Sequence, residues 1–222
     1  MKIKSKEHFL DVIQAERAWR RKELSNMKSL IHQSRDAHQD MLVRAGILLL
    51  YSHWEGFVKK GCEAFFTYLN FKAYKYSDLQ PNFLAVGLIE QYNGHFPPKK
   101  VSAYFSAVDS ILNSFHGQKF KIDVQVRVDT KSNLTRDVLV DLLNMVGLDP
   151  THFENHQGDI DHKLVKYRNA IAHGERTEYN PELYIDSTQF NDLFDRIDAL
   201  INHFENMIIN YVELESYKIT SD

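Results

Sequence analysis

The sequence predicts one mostly helical domain carrying a short β-strand or hairpin. Apolar residues recur at helical spacing through long segments at both ends of the chain. One central stretch alternates strictly, in the manner of a strand. No repeat, low-complexity tract or linker divides residues 1–222, so a single domain is expected.

In chain order, the first helix runs from Lys6 to about Ser34 on Phe9, Val12, Ile13, Ala15, Trp19, Leu24, Met27, Leu30 and Ile31. A second, longer one runs from about Asp36 to Ala73, and the two are expected to pack as an antiparallel pair. Pro81, Gly87, Gly94 and Pro97-Pro98 then fragment the pattern, leaving one short helix near Phe83–Gln91 and another from Lys99 to Phe115. Residues Phe120 to Asp129 place branched side chains at every second position, which predicts a strand, with Glu182 to Ile185 as its candidate partner. Asn133 or Thr135 caps a helix from Arg136 to about Val146, stopped by Gly147 and Pro150. Gly158 to Ala172 reads as one helix, and Ser187 to about Glu215 as the long closing helix.

Composition narrows the function. Apolar content of 43% and charge of 26% are ordinary for a globular protein, and the formal net charge is −3. That is no general nucleic-acid-binding surface, so any such binding is local. The lone Cys62 excludes an intrachain disulfide and fits a reducing cytoplasm. The charged N-terminus lacks a signal-type apolar stretch. The most apolar run, Ala45 to Tyr51, is far short of the ~20 residues that cross a bilayer. A cytoplasmic protein without membrane attachment is expected.

The chemistry concentrates in Tyr167-Arg168-Asn169-Ala170-Ile171-Ala172-His173-Gly174. Asn169 and His173, four apart, stack on one helix face, and Arg168 bends toward it from one step round. Gly174 suits the position just past a helix end. A guanidinium grips phosphate oxygens and offsets developing charge. An imidazole moves protons near neutral pH. These groups can cleave RNA without metal or cofactor, because the ribose 2′-hydroxyl is the nucleophile. One helix supplies one His, whereas cyclising transesterification wants a base and an acid; a twofold dimer would supply both. The spacing is equally compatible with an ion-paired Arg168 and a capping His173.

The string Arg168-Asn169-Ala170-Ile171-Ala172-His173-Gly174 resembles the R-N-x-x-x-H motif of the HEPN superfamily. Leu49-Leu50-Tyr51-Ser52-His53-Trp54-Glu55-Gly56-Phe57-Val58-Lys59 is similar to the W-E-G segment of a stand-alone prokaryotic branch, and the stretch from Ser132-Asn133-Leu134 through Val146-Gly147-Leu148-Asp149 also looks like that branch. The resemblance extends over roughly residues 40 to 215. It implies an up-down α-helical bundle, homodimerisation across the motif helix, and metal-independent endoribonuclease activity. It also implies a role as effector in toxin–antitoxin or antiviral defence, with an antitoxin or defence-system protein as partner. The catalytic positions fall on Arg168 and His173, with Asn169 between them. Glu175 stands where relatives modified by a nucleotidyltransferase antitoxin often have Tyr, which argues against that modification. Some superfamily members bind RNA or protein without cutting, which is the alternative function.

Glu55 has two readings: a helix-surface pair with Lys59, or a partner that fixes the Arg168 guanidinium. Gly56 is expected to permit close approach of another helix. Tyr51 and His53 are further candidates for the cleft border. His152, His156 and His162 match no familiar metal-ligand spacing and no Cys joins them, so a solvated loop is expected rather than a metal site. Asp159 and Asp161 suit the N-terminus of the motif helix. Lys163, Lys166, Arg176, Lys59, Lys60, Lys99 and Lys100 are candidate guides for RNA, and the basic stretch Arg17 to Lys22 a candidate contact for RNA or a partner.

Overall fold

Ser5 opens the first helix by accepting the His8 backbone N–H, and α1 then runs without a break over Lys6–Gln33. Two residues later α2 begins and spans Asp36–Lys72, the longest element of the chain. The computed structural model describes residues 2–91, 100–110, 113, 115 and 117–219. Gly94, the Pro97-Pro98 pair and Lys99 lie outside those residues.

Contacts between the two helices fix their direction. The Phe9 ring lies 6.1 Å from Tyr68, Trp19 lies 5.0 Å from His53, and Ile31 faces Gly46. The ascending number on one helix meets the descending number on the other, so the pair is antiparallel. The closing helix α10 spans Ser187–Glu213 and starts with a reciprocal Asp186/Gln189 capping box. It runs alongside α2 in the same direction: Phe190 meets Gly46, Phe204 meets Phe57 and Gly61, and Tyr211 meets Phe65. A polar seam ties α1 to α10 as well, with buried Arg17 held by Asp198, Asn202 and Glu205. These three helices bury one continuous apolar core, including Trp54, Phe57, Phe65, Phe66 and Phe204.

Shorter elements cover one side. They are α3 (Pro81–Gln91), α4 (Val101–Ser110), a single turn α5 (Val124–Arg127), α6 (Arg136–Val146), α7 (Thr151–Glu154) and α8 (Gln157–Asp159). A π-helical stretch, Ile160–Val165, leads directly into α9 (Lys166–Ala172). The architecture is an up-down helical bundle with no sheet among the described residues, only isolated bridges at Lys75/Lys119 and Leu79/Lys218.

The expected strand is therefore absent, and its hydrogen bonds show why. Residues 120–123 belong to no helix or strand, and Asn70 brackets Ile122, donating to its carbonyl and accepting from its N–H. Phe120 donates to the Tyr74 carbonyl, and Asp123 N–H to Glu90. The Asp123 carboxylate then caps Gln125 and Val126, closing the α5 turn where the strand would continue. Partners from helices α2 and α3 satisfy the backbone that a second strand would otherwise have to meet. The proposed partner, Glu182 to Ile185, begins in a turn around Glu182 and Leu183 and is not a strand.

The span Gly158 to Ala172 also departs from one regular helix. The Lys166 N–H bonds the Asp161 carbonyl, five residues back, the π register. That extra residue rotates α9 relative to α8, and α9 is the element that carries Arg168, Asn169 and His173.

Candidate functional site

α9 packs against the middle of α2, which brings the motif to the W-E-G segment. The Arg168 guanidinium lies over the Tyr51 ring, its carbon 3.9 Å from the ring centroid. One terminal nitrogen donates to the Asn169 side chain at 2.6 Å and the other to the Ser132 carbonyl at 2.7 Å. Glu55 sits 4.0 Å away, and its other oxygen accepts from Thr130 at 2.5 Å. Arg168 and Glu55 side chains are 19% and 20% exposed, so the pair is mostly shielded but open to a ligand at its edge.

Each residue of the W-E-G segment has a separate task. Trp54 is fully buried against Phe153. Glu55 turns toward Thr130 and Arg168. Gly56 leaves room for Arg20, whose Nη2 would stand 3.2 Å from an added Cβ. Gly56 thus admits a guanidinium rather than a helix backbone. Arg20 is held on the other side by Glu16, with Trp19 beneath it at 4.3 Å. His53 lies buried between Trp19 and Glu23, away from the motif; burial lowers its pKa, and Glu23 opposes that shift.

The end of α9 is shaped by its backbone. Gly174 takes φ +78, its N–H returning to the Ile171 carbonyl while Glu175 N–H reaches Ala170. This pair of bonds is a Schellman closure. It leaves exposed His173 at the helix end, on the rim of a groove of about 370 Å³ lined by Lys166, Asn169, Ala170, His173, Glu175, Asn180, Glu182 and Leu183. Asn169 is common to both halves of the motif: it lines this groove with His173 and accepts from Arg168. Arg168 is not on the groove wall; it sits toward α2.

The loop at 129–134 is the feature that sequence reasoning missed. Thr130, the Ser132 carbonyl and the Leu134 N–H all reach the site, the last donating to the Tyr51 hydroxyl at 2.8 Å. Lys131 and Ser132 adopt φ +55 and +60, consecutive left-handed residues without glycine. Only Ser132-Asn133-Leu134, as part of the family-like stretch, hinted at this position. Tyr51 is buried, and burial first, then Glu55, raises its hydroxyl pKa to about 12. It is an uncharged phenol at neutral pH.

The remaining candidates lie elsewhere. Asp159 binds Lys163, Arg196 and His156, and Asp161 accepts the Arg136 N–H at the start of α6; both join elements rather than serve α9. Lys166 lies 3.7 Å from Glu182 on the groove wall, and Arg176 stacks on Tyr179. His152 packs on His203 of α10 at 3.9 Å and on His156 at 5.1 Å, while His162 is exposed. No group of three or more His, Cys, Asp or Glu among the described residues is arranged to hold a metal ion. Cys62 is fully buried, which pushes its thiol pKa up to about 12. No helix is long and apolar enough to cross a membrane among the described residues.

The family comparison places this mainly helical bundle in the HEPN superfamily. Residues 15–210 match the RiboL-PSP-HEPN family, and the chain belongs to it. Comparison with curated proteins and with solved structures gave no match.

Proposed function

We propose that this chain is a metal-independent endoribonuclease that cleaves RNA by 2′-hydroxyl transesterification. His173 is the general acid/base, Arg168 the phosphate clamp and transition-state stabiliser, Asn169 the positioning residue between them, and Glu55 the support of the Arg168 guanidinium. The observation that carries the reading is the placement of the motif within a HEPN chain: a mostly shielded arginine bonded to an asparagine that lines one open groove with an exposed histidine. An imidazole removes the 2′-hydroxyl proton as that oxygen attacks phosphorus. A second imidazole protonates the departing 5′-oxygen, giving 2′,3′-cyclic phosphate and 5′-hydroxyl ends. Each α9 has one such His, so a homodimer with two motif helices at its twofold axis completes the site. The reaction suits a cytoplasmic effector of a toxin–antitoxin or antiviral system, restrained by a partner protein.

The first test is cleavage of RNA by the purified chain in chelator, with end-group analysis. His173→Ala and Arg168→Ala are each expected to lower cleavage by at least about 100-fold, the scale of losing an acid–base group or a charge-stabilising donor. Undiminished cleavage by His173→Ala sinks the assignment. Sedimentation should show a dimer for both variants.

A second reading, a non-cutting HEPN-fold module that binds RNA or protein, is favoured by two observations. Arg168 already donates to Ser132 and Asn169, and the net charge is −3. On that reading the chain dimerises and binds while RNA stays intact.

A further inference from the structure

Arg168 has five N–H donors on a flat, charged plane, and a flat cation is aimed by what supports its face and what pins its edge. Here the face rests on Tyr51 at 3.9 Å and the edge is pinned by the Ser132 carbonyl and the Asn169 side chain. Two of the five N–H groups are engaged in those bonds, and the Glu55 carboxylate lies 4.0 Å from Nη2. The Ser132 carbonyl that meets Arg168 belongs to a stretch in which Lys131 and Ser132 both hold left-handed backbone, a conformation that residues other than glycine adopt only under strain. Something must over-determine that loop.

Tyr51 touches both halves of this arrangement. Its ring supports the guanidinium, and its hydroxyl accepts the Leu134 N–H at the far end of the strained loop. Glu55, one helical turn along α2, secures the near end through Thr130. Loop and arginine are thus referenced to the same rigid helix. We propose that Tyr51 is the positioning residue of the Arg168 guanidinium, fixing its plane by ring contact while its hydroxyl locks the 130–134 loop that pins its edge. This deepens, and rests on, the ribonuclease reading of the same site.

Three properties fit that role. Tyr51 is 3% exposed and cannot swing away. Its phenol stays protonated through any neutral assay. The arginine it supports is tied by Asn169, the next residue of the motif, to the groove that holds His173.

The experiment uses Tyr51→Phe, Tyr51→Leu and Arg168→Lys in the full chain. Tyr51→Leu removes the ring and is expected to lower kcat/KM for RNA about tenfold or more, the size of a shielded cation–π contact. Tyr51→Phe keeps the ring face but frees the loop that pins the guanidinium edge, so it is expected to lower kcat/KM about threefold, less than Tyr51→Leu, and to lower Tm, since the Leu134 N–H loses its acceptor. In an Arg168→Lys background, where no plane remains to be aimed, adding Tyr51→Leu is expected to cost less than about threefold. Full additivity there, or wild-type cleavage by Tyr51→Leu, overturns the proposal. A second readout is independent of activity: the Arg168 Nε–H NMR signal, shifted by the Tyr51 ring current, is expected to move toward its free position in Tyr51→Leu but not in Tyr51→Phe. If the wild-type chain does not cut RNA, the ribonuclease reading fails, and this signal still decides the positioning role. No shift change in a folded Tyr51→Leu overturns it.

Discussion

Gly174 and Gly147 both carry positive φ, +78 and +89, yet a methyl group would meet different surroundings at each. Beyond Gly174 there is nothing within 4 Å, so Gly174→Ala costs only left-handed strain, about 1–2 kcal/mol. At roughly 2–4 °C per kcal/mol for a chain of this size, a fall of several degrees in Tm is expected. Gly147→Ala adds a clash, because its Cβ would lie 2.3 Å from the hydroxyl of Tyr211, whose ring is fixed among Phe65 and Tyr217. Overpacking adds about 1–3 kcal/mol, so thermal melting should place Gly147→Ala below Gly174→Ala. The reverse order would mean that the groove end of α9, not the α6 terminus, is the rigid one. At this scale the candidate site is legible in the sequence as side-chain types: arginine, asparagine and histidine at set spacing, with glycine at the helix end. The Ser132 carbonyl was not readable, since every residue has a carbonyl and only a left-handed loop aims this one.

Between elements, the small residues of α2 separate two kinds of contact. An added Cβ at Gly61 would lie 2.6 Å from the Phe204 ring, which is buried and wedged edge-on against Phe57. Gly61→Ala gains about 1 kcal/mol of helix propensity but suffers overpacking of about 1–3 kcal/mol at the α2–α10 interface. A net loss in Tm is expected. Gly56→Ala meets the end of a long side chain, Arg20 Nη2, at 3.2 Å. A shift of a few tenths of an ångström relieves it, so Tm should hold or rise. Denaturation of the two variants side by side checks this; an equal loss would show Arg20 to be as immobile as Phe204. The long helices were legible because their apolar spacing persists over many turns. The 120–129 segment was not, because alternation reports extended backbone without saying what bonds it. Here Asn70, Tyr74 and Glu90 supply the partners, all distant in sequence. The π register before α9 is equally silent, since Ile160, Leu164 and Val165 satisfy helical spacing either way.

Across the whole molecule, burial sets a pH response through two histidines on different seams. His203 of α10 has its pKa lowered, first by burial and then by the facing His152 and His156, and the Asp159 carboxylate touches His156. His53, between α1 and α2, is also lowered, by burial and by Arg20, against the opposing pull of Glu23. A lowered folded-state pKa means the unfolded chain binds more protons just below the ordinary value of about 6.5. Stability therefore rises with pH through that window and is lost as pH falls through it toward the folded-state values. Tm is expected to be steady at pH 7.5–8 and to decline between pH 7 and 5, ahead of any carboxylate protonation. His203→Gln removes one of the two contributors and should flatten that decline without moving the plateau far, since a neutral side chain of similar reach still covers Phe153. Thermal scans from pH 8 to 5 on both proteins make the comparison. An identical slope in the variant would place the sensitivity at His53 alone, and a flat profile in the parent would remove burial of imidazole as a force in this fold.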